Sequence, residues 1–177
     1  MTFRLCSLGL GLFLGTAAYT FGIWTVRRPE LWRRLPRARF PGVFVGAVCL
    51  VWSVVLVNRM FEGDMVRYRH LVRLAAPAIG VLAYFYLDYL FARALGGLLV
   101  LLANFLLHGA FALDVPARPL YAICCYIVGI AGLFFIGAPW RLRDLLERAR
   151  DHRNWRSTLV AGNAFLALIF VLYAGLR

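Results

Sequence analysis

From Leu74 to Leu113 the chain runs for forty residues that are almost entirely apolar, yet Asp88 and Arg93 sit in the middle of the run. A single helix of that length would extend about 60 Å, roughly twice the hydrocarbon thickness of a bilayer. The run must therefore fold back, and the charged pair marks where. Two spans follow, near 74–92 and 95–113. Arg93 is expected at the turn, Asp88 at the nearby interface, and Gly96 with Gly97 at a tight start of the second helix.

The remaining sequence repeats the theme. The 177 residues are 63% hydrophobic with a mean hydropathy of +0.76, against about 45–50% apolar residues in an ordinary soluble domain. The excess is gathered into runs of bilayer length, near 5–26, 40–58, 120–138 and 158–176. The fold class expected is all-α: a polytopic membrane protein with six transmembrane helices in one integral domain, 1–177. Only Arg4 precedes the first run, while Arg27, Arg28, Arg33, Arg34, Arg37 and Arg39 follow it. Positive charge marks the cytoplasmic side, so this segment is expected to stay attached, with the N-terminus outside.

Charge then sets the parity. Net charge is +12, and all 20 basic residues are arginine. Two segments carry six arginines each, 27–39 and 141–156. Placing both on the cytoplasmic face requires an even number of crossings between them, which the folded-back run supplies. Both termini then lie outside. Thirteen arginines fall inside, against seven outside: Arg4, Arg59, Arg67, Arg69, Arg73, Arg118 and Arg177. Arginine's planar fork suits phosphate groups, so anionic lipid is the expected partner of Arg27, Arg28, Arg33, Arg34, Arg141, Arg143, Arg148 and Arg150. Nucleic acid is excluded as a partner, because these clusters are pinned beside apolar spans rather than on a free basic face.

Between spans five and six, "WRLRDLLERARDHRNWRS" (140–157) spaces Leu142, Leu145, Leu146 and Ala149 at i, i+3, i+4 and i+7. One apolar stripe on a charged segment predicts an amphipathic helix in the cytoplasmic headgroup layer. Asp144 with Arg148, and Arg143 with Glu147, are four apart and expected to pair. The polar stretch "RMFEGDMVRYRHLVR" is expected at the opposite surface.

Polar side chains inside spans are costly and are the default site candidates. They are Asp88, Asn104, His108 and Asn163, with Asn58 at a span end. Asn104 and His108 are four apart and share a helix face; with the turn at Arg93, the Tyr84 hydroxyl would satisfy Asn104. Gly9, Gly11 and Gly15 include a small-xxx-small spacing that permits close helix contact.

Catalytic chemistry finds little support. Cys6, Cys49, Cys124 and Cys125 show no metal-ligand spacing with the histidines. His70, His108 and His152 lie at unlike depths, which excludes a bis-histidine haem. "DYLFAR" matches only part of the signature of the CDP-alcohol phosphotransferases. Tyr89 replaces the glycine, Leu102 stands at another glycine position, and the metal-binding carboxylates downstream are missing. No nucleophile elbow, zinc motif or phosphate loop occurs, and the short "DVPARP" loop argues against inverted transporter repeats. No catalytic residue, metal or cofactor is therefore expected.

The sequence points to a non-catalytic accessory or structural subunit of a bacterial cytoplasmic membrane. It would pack with a larger membrane complex or with copies of itself. The alternatives are a small-solute or ion transporter using Asp88, Asn104 and His108, or an enzyme handling lipid phosphate.

Overall fold

A computed structural model describes residues 2–24, 39–60, 67–113 and 115–175, without the side chains of Trp24, Arg59 and Met60. These residues form seven α-helices and one π-helical turn. They are α1 (Thr2–Tyr19, continued by the π turn Thr20–Trp24), α2 (Arg39–Met60), α3 (Arg69–Tyr86), α4 (Leu90–Ala112), α5 (Arg118–Gly137), α6 (Trp140–Asp151) and α7 (Arg153–Gly175). Five helical segments are long and apolar enough to cross a membrane: Thr2–Ile23, Arg39–Asn58, Leu90–Ala112, Arg118–Gly137 and Arg153–Gly175. The chain is a helical membrane protein.

Four helices make the core. Leu10 and Leu14 of α1, Leu99 and Leu106 of α4, Tyr121 and Val128 of α5, and Phe170 of α7 pack into one buried cluster. The cluster is two antiparallel pairs set side by side. In the α1–α7 pair, Gly11 lies against Ala167 and Val171 while Gly22 lies against Val160. A Cβ on Gly11 would come within 3.1 Å of the Ala167 carbonyl oxygen, so the small residue sets the approach. Of the three glycines in the α1 motif, Gly9 faces open space. In the α4–α5 pair, a Cβ on Gly96 would stand 2.5 Å from the Gly132 carbonyl oxygen. Gly96 therefore lets α4 touch α5, and does not serve the start of α4 as the sequence suggested.

The fold-back lies earlier than expected. Helix α3 ends at Tyr86, Asp88 and Tyr89 turn, and α4 begins at Leu90. Tyr89 takes a left-handed conformation (φ 57°), and the Arg93 N–H donates to the Tyr89 carbonyl at 3.2 Å. Arg93 thus closes the first turn of α4 instead of forming the loop. Helix α3 leans on α2, with Gly80 against Leu50 and the Arg39 guanidinium 5.8 Å from the Tyr84 ring centre. On the other side, α2 runs parallel to α4: Gly42 meets Leu90 and Phe91, and Gly46 meets Ala94. The reflected-hairpin picture, with α3 packed on α4, is therefore corrected.

The helix ends gather into two layers. At one end, Phe3, Gly109 and Tyr121 meet, and the Tyr173 hydroxyl donates to the Ala117 carbonyl at 3.4 Å. At the other end, which we call the hairpin end, Leu142 and Leu146 of α6 pack on Ala92 of α4, flanked by Phe21, Tyr89 and Phe135.

Candidate functional site

The intramembrane polar residues do not converge. Asp88 is exposed in the turn at the hairpin end. Asn104 and His108 are exposed on α4, one turn apart, and Asn104 lies about 21 Å along the axis from the first residue of the helix. Neither side chain makes a hydrogen bond among the described residues. Tyr84 does not reach Asn104; its ring stacks edge-on to Phe85 and receives Arg39. Asn163 of α7 donates through Nδ2 to the Leu159 carbonyl of its own helix at 2.9 Å. Asn58 buries its Oδ1, and Arg93 its Nε, without a hydrogen-bond partner among the described residues.

The sequence reading missed the most completely buried polar contact. Ser7 of α1 is fully buried; its hydroxyl donates to the Phe170 carbonyl at 2.8 Å and accepts from the Tyr121 hydroxyl at 3.1 Å. Three core helices are tied at this point. The signal was available: Ser7, Gly11 and Gly15 form one small-residue ridge at four-residue spacing. A backbone carbonyl and a phenol occupy the serine, and neither is a base that would activate it.

A second feature left no mark in the sequence. A cavity of about 530 Å³ opens between the two helix pairs on the hairpin side of the core. Phe13 of α1, Leu95 of α4, Phe135 of α5, Leu145 of α6, and Gly162 and Asn163 of α7 help to line it. Its few polar side chains donate to nearby backbone carbonyls. The hydroxyls of Thr16, Thr20 and Thr158 donate to the carbonyls of Phe13, Ala17 and Asn154, all within their own chain segment. What remains is an apolar wall assembled from five helices, α1 and α4 to α7. Its volume is that of a small-molecule site, roughly 300–1,000 Å³.

Below the cavity, α6 sorts its arginines. Arg143 holds Asp144 at 3.1 Å and Glu147 at 3.9 Å, and Arg150 lies 3.9 Å from Asp151. The hydrogen bond to Asp144 pushes the Arg143 pKa up, with Tyr89 adding to the shift. Asp144 thus pairs with its neighbour Arg143 in place of the expected Arg148. Arg148 is left without a carboxylate among the described residues, and so is Arg141, whose guanidinium lies 5.2 Å from the Phe134 ring centre. Arg27, Arg28, Arg33 and Arg34 lie outside the described residues. Among the described residues no group of three His, Cys, Asp or Glu side chains is placed to hold a metal ion.

Comparison with known proteins finds no matching family model, no matching curated protein and no matching solved structure.

Proposed function

We propose that this chain is a non-catalytic accessory protein of a bacterial cytoplasmic membrane that docks a partner helix on the Asn104–His108 face of α4. The exposure of both side chains carries this reading. Polar groups within membrane spans almost always face a bundle interior or a water-filled cavity. Here they sit together on the outside of an apolar stretch of α4, with no side-chain hydrogen bond among the described residues. A partner span, from a larger membrane protein or a second copy, would satisfy them at about 0.6–2 kcal/mol per bond. The transport reading requires Asp88, Asn104 and His108 to share a path, and their separation gives it no support.

In this reading α3 is the sixth crossing, since it runs antiparallel beside α2 between the two end layers. The hairpin end is cytoplasmic. It holds Arg93 and the α6 arginines, and the Arg-rich segment 25–38 joins two helix ends that both lie there. Helix α6 is the amphipathic element of the headgroup layer, burying Leu142, Leu146 and Ala149 while Arg141, Arg148 and Arg150 remain exposed.

The test is the double substitution Asn104→Leu/His108→Leu, with native mass spectrometry of the purified protein. A stoichiometric partner or second copy should be present in the wild type and lost from a variant that keeps its helicity. Retention of that stoichiometry by the variant refutes the docking face. Topology is checked separately by labelling single cysteines introduced at positions 33, 64, 93 and 148 in a cysteine-free background. Reaction of position 93 from outside, or of 33 and 148 from opposite sides, would sink the six-span arrangement.

A further inference from the structure

We infer that the cavity between the helix pairs holds an acyl chain of an anionic phospholipid, whose phosphate rests between Arg141 and Arg148. This goes beyond surface contact with lipid, and it rests on α6 lying in the headgroup layer. The cavity wall is apolar because each of its threonine hydroxyls, and the Asn163 amide, donates to a backbone carbonyl nearby. Such a space offers little to a hydrophilic solute or to water, which needs two to four polar partners. It suits a hydrocarbon chain.

Access is lateral. Phe13 and Ile127 line the cavity from α1 and α5, yet remain 42% and 50% exposed. A chain can therefore enter from the side, between the two helix pairs, without leaving the bilayer. The floor is Leu145 of α6, half-buried between its more deeply buried neighbours Leu142 and Leu146.

Charge selects the headgroup. Arg141 and Arg148 stand four residues before and three residues after Leu145, so they flank it on the same helix face, each about 6 Å or less along the axis. Among the described residues these are the two α6 arginines that hold no carboxylate, whereas Arg143 and Arg150 are occupied by Asp144, Glu147 and Asp151. The carboxylates thus neutralise one side of α6 and leave two cations beside the cavity floor. A phosphodiester above Leu145 would accept charge-assisted hydrogen bonds from both guanidiniums. An anionic lipid without a competing headgroup ammonium is favoured over a zwitterionic one.

Gly162 provides the test that leaves the fold intact. It lines the cavity, and a Cβ placed there meets nothing within 4 Å. Gly162→Phe should therefore fill the space without moving a helix. The delipidated protein is titrated with an equal mixture of phosphatidylglycerol and phosphatidylcholine of identical chains, and adducts are counted by native mass spectrometry. The wild type should take up one phosphatidylglycerol first, preferred about ten-fold over phosphatidylcholine. Gly162→Phe should lose this first adduct while keeping wild-type helicity and melting temperature. Arg141→Gln/Arg148→Gln should keep a bound lipid but show near-equal preference.

Absence of a preferred first adduct in the wild type overturns the proposal, as does its persistence in Gly162→Phe. Persistence of the preference in the arginine variant overturns the headgroup assignment. None of these results touches the Asn104–His108 face, whose failure would appear in partner stoichiometry alone.

Discussion

The α4–α5 pair and the α2–α3 pair are both antiparallel hairpins in one chain, and they are finished to very different degrees. A third of the most apolar window of α5 is buried within the protein, against 6% of that of α2. Helix α3 has no buried residue at all and carries Pro77 in its interior. Neither α2 nor α3 contributes a residue to the buried core clusters. The core pair is specified by its own contacts, whereas the outer pair leans on it through α2 and leaves most of its surface uncovered by the described residues. Apolar length places a helix in the membrane, but only close approach and buried hydrogen bonds give it a fixed neighbour.

The sharpest way to break this contrast is to part the core pair. In Gly96→Leu the new side chain would start 2.5 Å from the Gly132 carbonyl oxygen and 3.0 Å from the Ile136 backbone nitrogen. Backbone cannot yield as a flexible side chain can, so α4 and α5 must separate. We expect a loss of about 3 kcal/mol or more, seen in detergent unfolding or as failure to purify monodisperse protein. Gly46→Leu, on α2, is the matched control. Its Cβ would lie 3.8 Å from the Ala94 methyl group, and stability should change by less than about 1 kcal/mol. Equal effects at the two positions would erase the distinction between core and outer pair.

Ser7→Ala ranks next. It removes the acceptor of the Tyr121 hydroxyl and strands that group in a fully buried site. The cost expected is about 1–2 kcal/mol. Tyr121→Phe, which leaves the Ser7 bond to the Phe170 carbonyl in place, should cost less, about 0.6 kcal/mol. The reverse order would mean that the Tyr121 hydroxyl contributes more than its bond to Ser7 accounts for.

The legible part of this architecture was the part written in long-range patterns. Runs of apolar residues gave five helices long and apolar enough to cross a membrane, and the two Arg-rich segments predicted a shared end at which the neighbouring helix termini do meet. Local and tertiary details were less accessible. The turn fell at Asp88 and Tyr89, not Arg93, because an arginine can close a first helical turn as readily as a loop. Asp144 chose Arg143 over Arg148 because two residues of one helix can pair by rotamer choice as well as by four-residue spacing. Which helix packs beside α4 was not readable, since α2 and α3 are both apolar. The cavity had no sequence signature, because it is made by residues from α1, α4, α5, α6 and α7 that share nothing but their final position.

Ala117→Gly should stabilise the protein slightly. Ala117 joins the core pair in a left-handed conformation (φ 48°), which strains a residue with a Cβ by about 1–2 kcal/mol. Its carbonyl already accepts from the Leu120 N–H at 3.0 Å, so glycine keeps the turn while removing the strain. Net stabilisation of about 1 kcal/mol should appear as a raised melting temperature. At Tyr89 the same change should give no such gain, because the ring packs against Ala92, Leu142 and Leu146. A gain at Tyr89 would mean that this packing holds nothing in place.

The smallest effect on the core is expected from Gly42→Ala, and it separates the two pairs most directly. The added methyl group would stand 2.8 Å from the Phe91 backbone nitrogen, at the crossing where α2 meets the first turn of α4. Only the outer pair can move in response, because α4 is held from its other face by α5 through Gly96 and Gly132. The core melt should therefore shift by less than about 0.5 kcal/mol. Amide exchange in α2 and α3 should rise over wild type, because local opening of a weakly packed unit takes far less free energy than global unfolding. A common loss of protection across α4 and α5 would show that the α2–α3 pair is part of one cooperative unit with the core. Exchange confined to α2 and α3 would establish a separable hairpin whose position a docked partner helix can set.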